Sequence, residues 1–340
     1  MPVRFPHPEP VRSTQTGGRP RVFPVFLPLA GCPGRCIYCD QPAQTGQAPE
    51  PLEAVLARAR AELSALPEGA AGPVELAFYG GTFTALPSPW PERFLDLAAE
   101  LRASGRVTRV RCSTRPDAVT PELLHDLRGR GLDLVELGVQ SFSDAALMAS
   151  GRGYDGAVAH MACRMVQEAG LGLGIQLLPG MPGHTPADFA RDVETTASLS
   201  PELVRLYPCL VLEGTELAGL WRTGAFAPWP LDVTVDALAE ALRVLWAARV
   251  PVARIGLAEQ QGLTVLAGPR HPALGQLARS RALLLHVREK LAALPTPATV
   301  LYVPRRWQGE VLGQRNALAQ EYAALGLSVE GWDEAEFGLG

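Results

Sequence analysis

Segments of strand character alternate with segments of helical spacing six times along this chain, and that alternation leaves few folds open. Residues 21–29 are an apolar, aromatic run bounded by Gly and Pro. Strand-like runs follow at 74–79, 107–113, 132–139, 171–178 and 203–207. After them, 51–66, 91–103, the stretch beyond Thr120, 156–169, 186–198 and 231–248 carry apolar residues at helical intervals. A strand that feeds a helix reaches its next neighbour by a crossover, so the strands pair in parallel and the units curl with one hand. The expected fold class is α/β: a partial or full parallel (β/α)6 barrel with a small C-terminal α/β appendage. The chain has 340 residues, long for one ordinary domain and normal for a barrel with an addition. It divides into an N-terminal arm (1–19), a core domain (20–250) and the appendage (251–340).

Composition excludes several classes. With 47% hydrophobic and 19% charged residues the chain has a well-buried core rather than disorder. A net charge of −4 gives no global pull towards nucleic acid or an anionic membrane. No signal peptide and no bilayer-spanning run are expected. Six cysteines, three of them clustered, fit a reducing cytoplasm better than a disulfide framework. Lys290 is the only lysine, and nothing functional follows from that.

In barrels of this kind the site lies at the carboxyl ends of the strands. Two sequence features fall there. Cys32, Cys36 and Cys39 follow the first strand, and Gly80-Gly81-Thr82 follows the second. A C-x3-C-x2-C loop offers three thiolates. A structural zinc loop would ask for a fourth Cys or His, and the nearest downstream His is His125, with Asp40 the one local substitute. Iron–sulfur clusters are usually held by four thiolates, so three leave one iron open. The triplet alone leaves zinc, a redox dithiol and an open iron–sulfur site in play.

A strand followed by C-x3-C-x2-C, with an aromatic (Tyr38) before the last Cys, resembles the radical S-adenosylmethionine (radical SAM) superfamily. That resemblance implies a 4Fe–4S cluster on Cys32, Cys36 and Cys39, with S-adenosylmethionine bound to the fourth iron. It implies reductive cleavage of the sulfonium to methionine and a 5′-deoxyadenosyl radical, which takes hydrogen from a substrate. An electron donor such as flavodoxin or ferredoxin is implied too. The cofactor-binding positions implied are Gly80, Gly81, Thr82, Ser113, Gln140 and Arg152. An Arg fork suits the methionine carboxylate, and glycine backbone suits a ligand that must approach closely. No catalytic residue is assigned beyond the cluster. Cys112, Cys163 and Cys209 are expected to be inert, although Cys209 follows the sixth strand and could face the barrel mouth.

Within the superfamily, residues 78–87, 113–117, 138–141 and 205–217 are similar to the Elongator catalytic subunit and to short bacterial relatives of it. The likeness covers roughly residues 20–250 and implies modification of tRNA. Elongator's subunit continues into an acetyltransferase domain for which this chain has no room, and it carries a Glu where Ser113 stands here. In the appendage, residues 311–318 resemble the GxxG loop of KH domains, with Asn316 in place of the second glycine. Eight basic and two acidic residues lie between Arg270 and Arg315, a locally positive stretch in a negative chain. RNA, tRNA above all, is therefore expected to be bound through residues 270–316. Two other readings stay open: a radical SAM enzyme acting on a small molecule or peptide, and a non-catalytic iron–sulfur sensor that binds RNA.

Overall fold

The computed structural model describes residues 2–10, 21–65, 74–257 and 262–340. Its strands, in chain order, are β1 (Val3–Phe5), β2 (Arg21–Phe26), β3 (Val74–Tyr79), β4 (Arg109–Thr114), β5 (Leu134–Gln140), β6 (Gly172–Leu177), β7 (Leu203–Leu206), β8 (Val211–Leu212), β9 (Val252–Ile255), β10 (Val265–Ala267), β11 (Val300–Pro304), β12 (Ser328–Trp332) and β13 (Phe337–Leu339). The main sheet is parallel throughout, in the order β2-β3-β4-β5-β6-β7-β9. Its central strands are buried along nearly their whole length, as expected of a parallel sheet covered by helices.

Three of the covering helices start where the sequence provides side-chain caps. Thr120 accepts from Leu123 N ahead of Pro121–Gly129, and Asp155 accepts from Val158 N ahead of Gly156–Glu168. Thr185 and Asp188 form a reciprocal capping box at Pro186–Ser198, with Pro186 in the first turn. Leu52–Ser64, Trp90–Ala103 and Leu231–Ala247 complete the set.

The α/β class and the parallel partial barrel are as the pattern predicts. The sheet has one strand more than expected, because β9 follows Leu231–Ala247 and pairs with β7. The main sheet thus runs past residue 250, where the sequence placed the start of the appendage. Four residues, one of them Arg254, followed by Gly256, are too short and too polar to stand out as a strand. The sheet curls: Val22 and Phe26 of β2 and Arg254 of β9 line one cavity. Among the described residues the two edge strands pair with nothing further. Pro24 suits such an edge, since it has no N–H to give a ladder.

Part of the expected N-terminal arm is structured. β1 pairs antiparallel with β13, and Phe5 stacks on Phe337 with ring centroids 5.5 Å apart. The remainder of the arm, residue 1 and residues 11–19, lies outside the described residues. β1, β13, β11 and β12 form a second sheet in that order, with β11 and β12 parallel. Helix Leu274–Ala292 packs along Leu231–Ala247, and one apolar core runs through both units. Among the described residues no helix is long and apolar enough to cross a membrane.

Candidate active site

The carboxyl ends of the strands open into a cavity of about 610 Å³. Cys32, Cys36, Cys39, Gly80, Gly81, Ser113, Gln140 and Arg152 all line it. Thr82 lies just behind, fully buried, its hydroxyl 3.3 Å from the Cys32 sulfur.

The cysteine loop is fastened to the end of β3 by backbone. Thr82 N donates to Ala30 O at 2.7 Å, and Leu27 N to Tyr79 O at 2.7 Å. Gly81 has φ +62°, and a Cβ there would overlap Ala30 O and crowd Leu27 O. The sequence reading explained this glycine by the close approach of a ligand. In the structure the close neighbour of Gly81 is the cysteine loop itself. Gly80, also at positive φ, has looser surroundings. The side chain of Gln41 completes the joint: its Oε1 accepts from Leu29 N at 2.6 Å and from Gly81 N at 2.8 Å.

Two guanidinium groups meet Cys36. Arg152 is 5% exposed and donates from Nη1 to Cys36 Sγ at 3.1 Å, and from Nη2 to Gly138 O at 2.6 Å. Its Nε and Nη2 also reach Tyr154 Oη. Burial pushes the Tyr154 hydroxyl up to about 12, against the pull of Arg152. Arg115 lies farther out, 3.8 Å from the same sulfur, held by Asp117 and by Arg152 O. Burial, then the neighbouring Cys36 and Cys32, raises the Cys39 thiol to about 12. Gln140 sits at φ +68°, where the strand ends. A Cβ on Gly138 would crowd the Gln140 amide, so that glycine gives the side chain its room.

Below this lies a polar network in which Ser113 is the one cofactor-binding position expected from the sequence. Glu136, fully buried on β5, accepts from Arg205 Nε at 2.5 Å and from Tyr79 Oη at 2.8 Å. Arg205 Nη2 donates to Tyr79 Oη at 2.6 Å, and Gln176 Nε2 lies 3.3 Å from both Glu136 Oε2 and Ser113 Oγ. Arg111, 1% exposed, stands between Glu75 at 3.3 Å and Glu136 at 3.5 Å. Burial pushes the Glu136 carboxyl up, and Arg205, Arg111 and Tyr79 outweigh it, so it stays below its ordinary value. Arg205 also reaches Tyr207 Oη at 3.3 Å, two residues along the chain. The available signal was a charged residue inside a strand otherwise made of buried apolar ones.

Fit to a cluster can be judged from the donor set. Among the described residues no three Cys, His, Asp or Glu side chains converge as they would on a single ion. A cubane asks for something else, since each thiolate goes to a different iron. Three sulfurs spread around one cavity wall suit that. Tyr38, between the second and third cysteines, lines the cavity with a buried hydroxyl that has no partner among the described residues. The remaining cysteines are buried in apolar surroundings, Cys163 and Cys209 both raised to about 12 by burial. Cys209 does line the cavity.

The sequence model of the radical SAM superfamily matches residues 26–196, half of the chain. The protein belongs to the radical SAM superfamily. A model described as the radical SAM C-terminal domain matches residues 201–283. Among curated proteins, the tRNA uridine(34) acetyltransferase of Methanocaldococcus infernus is 27% identical over 263 residues, covering 66% of this chain and 49% of that protein. The heme chaperone HemW of Mycobacterium tuberculosis is 28% identical over 235 residues, covering 66% of this chain and 60% of that one. The solved archaeal Elp3 of M. infernus superposes with a TM-score of 0.58 at 23% identity, over 80% of this chain and 63% of that one, a likeness of fold. The chain spans about half the length of the acetyltransferase relatives it matches. The Elongator complex protein 3 of Drosophila melanogaster is 26% identical over 196 residues, covering 51% of this chain and 35% of that protein.

Proposed function

We propose that this protein cleaves S-adenosylmethionine reductively at a 4Fe–4S cluster held by Cys32, Cys36 and Cys39, and uses the radical in RNA modification, tRNA being the substrate class. The carrying observation is the meeting of the three cysteines, Gln140 and Arg152 in one cavity at the strand ends. When bound, the cluster and S-adenosylmethionine supply one-electron cleavage and a 5′-deoxyadenosyl radical. The chain's own residues bind and orient. Arg152 fixes Cys36 against β5, and the N–H capacity left on Nη1 can take the methionine carboxylate. Gln140, Ser113 and the backbone of Gly80 present polar groups to the same space. The unpartnered Tyr38 hydroxyl offers one more contact. The apolar walls Val22, Phe26, Leu178 and Leu210 keep water from the interior.

Support for RNA comes from the named activity of the tRNA uridine(34) acetyltransferases and from the appendage. There, Gln308–Leu312, a loop beginning at Gly313, Ala319–Ala324 and β12 follow β11 in the helix–loop–helix–strand order of a KH-like half-module. Arg315 and Asn316 have φ of +53° and +59°, so the backbone after Gly313 turns through left-handed conformations. Several of the basic residues expected to form the footprint are spoken for. Arg279 pairs with Glu9, Arg281 with Asp236 and Glu321, and Arg305 with Asp333. Arg315, on the loop, is the cation best placed for a phosphate. Anaerobic reconstitution with dithionite and S-adenosylmethionine tests the reading: 5′-deoxyadenosine that increases with total tRNA is expected. Formation indifferent to tRNA would move the substrate elsewhere, and no formation with a loaded cluster would favour a non-catalytic sensor.

A further inference from the structure

Charge in the cavity is one-sided. Arg35, Arg111, Arg115, Arg152, Arg205 and Arg254 line it, and no Asp or Glu is among the described lining residues. Five of the six are accounted for within the protein. Arg35 pairs with Asp40, Arg115 with Asp117, Arg111 with Glu75 and Glu136, and Arg205 with Glu136. Arg152 serves Cys36, Gly138 O and Tyr154. Arg254 differs. Its Nε donates to Gly256 O at 3.1 Å, and among the described residues its two terminal nitrogens have no partner.

Its position adds to this. Arg254 lies on β9 in register with Arg205 of β7, so the two side chains leave the same face of the sheet as neighbours. Arg205 carries Tyr207 Oη on Nη1. A guanidinium fork with free donors, beside a second arginine and a phenol, is a receptor for an oxyanion. The cysteine triplet does not need it, because Arg115 and Arg152 already reach that loop.

We infer that the substrate carries a phosphate-class anion that docks on Arg254, with Arg205 and Tyr207 beside it, and that this contact sets how deep the reacting part enters. The inference rests on the radical reading only for the word substrate; the anion site itself stands on the charge arrangement. The anion could come from an RNA backbone or from a free nucleotide, which share this chemistry.

The test is calorimetric titration of the reconstituted full chain with total tRNA, uridine 5′-monophosphate and uridine, in wild type, Arg254→Glu and Arg254→Lys. Expected is binding of a phosphate-bearing probe, weakened roughly tenfold or more by Arg254→Glu, weakened less by Arg254→Lys, which keeps the charge and loses the fork, and falling with salt. Binding of tRNA without the mononucleotide assigns the anion to RNA backbone, and the reverse assigns it to a free nucleotide. Equal binding of all probes by wild type and Arg254→Glu, or by wild type of uridine as well as of the phosphates, overturns the inference, as does wild type that binds none of them. Substrate-free 5′-deoxyadenosine formation by wild type is measured separately. Its absence would sink the radical reading and leave the anion site intact.

Discussion

Arg152 donates to the sulfur of Cys36 across 116 residues of chain, at 3.1 Å. That bond joins the loop after helix Asp144–Ala149 to the cysteine loop, and the same guanidinium holds Gly138 O of β5 and Tyr154. Lysine keeps the charge and loses the fork, so it cannot serve all three. Arg152→Lys is expected to weaken S-adenosylmethionine binding roughly ten- to a hundredfold, read by equilibrium dialysis of the reconstituted protein. Unchanged affinity would place the methionine carboxylate away from Arg152.

Cysteine variants separate ligand from filler. Cys36→Ala should abolish the visible absorption of the reconstituted cluster and the formation of 5′-deoxyadenosine. Cys209 is 2% exposed and packs with Leu147, Met181 and Leu217. Cys209→Ala should keep both signals, with a stability loss of about 1 kcal/mol for the lost sulfur. A cluster lost in Cys209→Ala would mean a thiolate role for a residue that the packing treats as apolar.

Gly81→Ala tests the joint between the cysteine loop and β3. The substitution meets positive φ and a backbone oxygen at once, so neither rotamer choice nor side-chain movement relieves it. Destabilisation of about 2 kcal/mol or more is expected by urea denaturation of the apoprotein. Gly105, at positive φ with open space around it, is the control: Gly105→Ala should cost about 1 kcal/mol. Equal losses at the two sites would count against a tight loop–strand contact.

Acid should reveal Glu136. Its carboxyl lies below the ordinary value of 4.5 in the folded chain, so on acidification the unfolded chain takes up the proton first. The stability this group contributes is complete above 4.5 and is lost as pH falls through the folded value. Glu136→Gln leaves Arg205 and Arg111 with less counter-charge in a buried site and should cost roughly 3–5 kcal/mol at neutral pH. The gap between variant and wild type should narrow below pH 4.5. Melting temperatures recorded across that range check both; a gap independent of pH would show that the ionised form is not what stabilises.

For the appendage, Arg315→Glu should weaken tRNA binding at low salt and reduce the slope of log affinity against log salt by about 1. Filter binding at several salt concentrations reads this. Arg305→Glu, at a residue already paired with Asp333, should have the smaller effect. Indifference to both would remove the loop from any nucleic-acid contact.

The sequence revealed what local pattern controls. Capped helices at Thr120, Asp155 and Thr185 begin where their side chains bind the first free N–H groups, and the strands between them are mostly apolar, Glu136, Gln140 and Gln176 apart. β9 escaped because Arg254 interrupts four residues that only β7 makes into a strand. β1 escaped because its three residues find their partner at 337–339, more than three hundred positions away. Arg152 and Gln140 could be named in advance, but not the bond from Arg152 to Cys36, which exists only once the loops converge. Gln41 gave no sign at all: a glutamine at the first position of a short helix looks like any surface residue until its oxygen is seen joining Leu29 to Gly81.

A ring of staves admits only what passes its mouth. Among the described residues the two edges of this sheet, β2 on one side and β9 on the other, do not pair, and Phe26 and Arg254 border the same hollow. The hollow is therefore a slot as well as a cup. A guest much longer than the bore can keep its bulk outside, lie along the seam, and turn a single unit inward past the arginine.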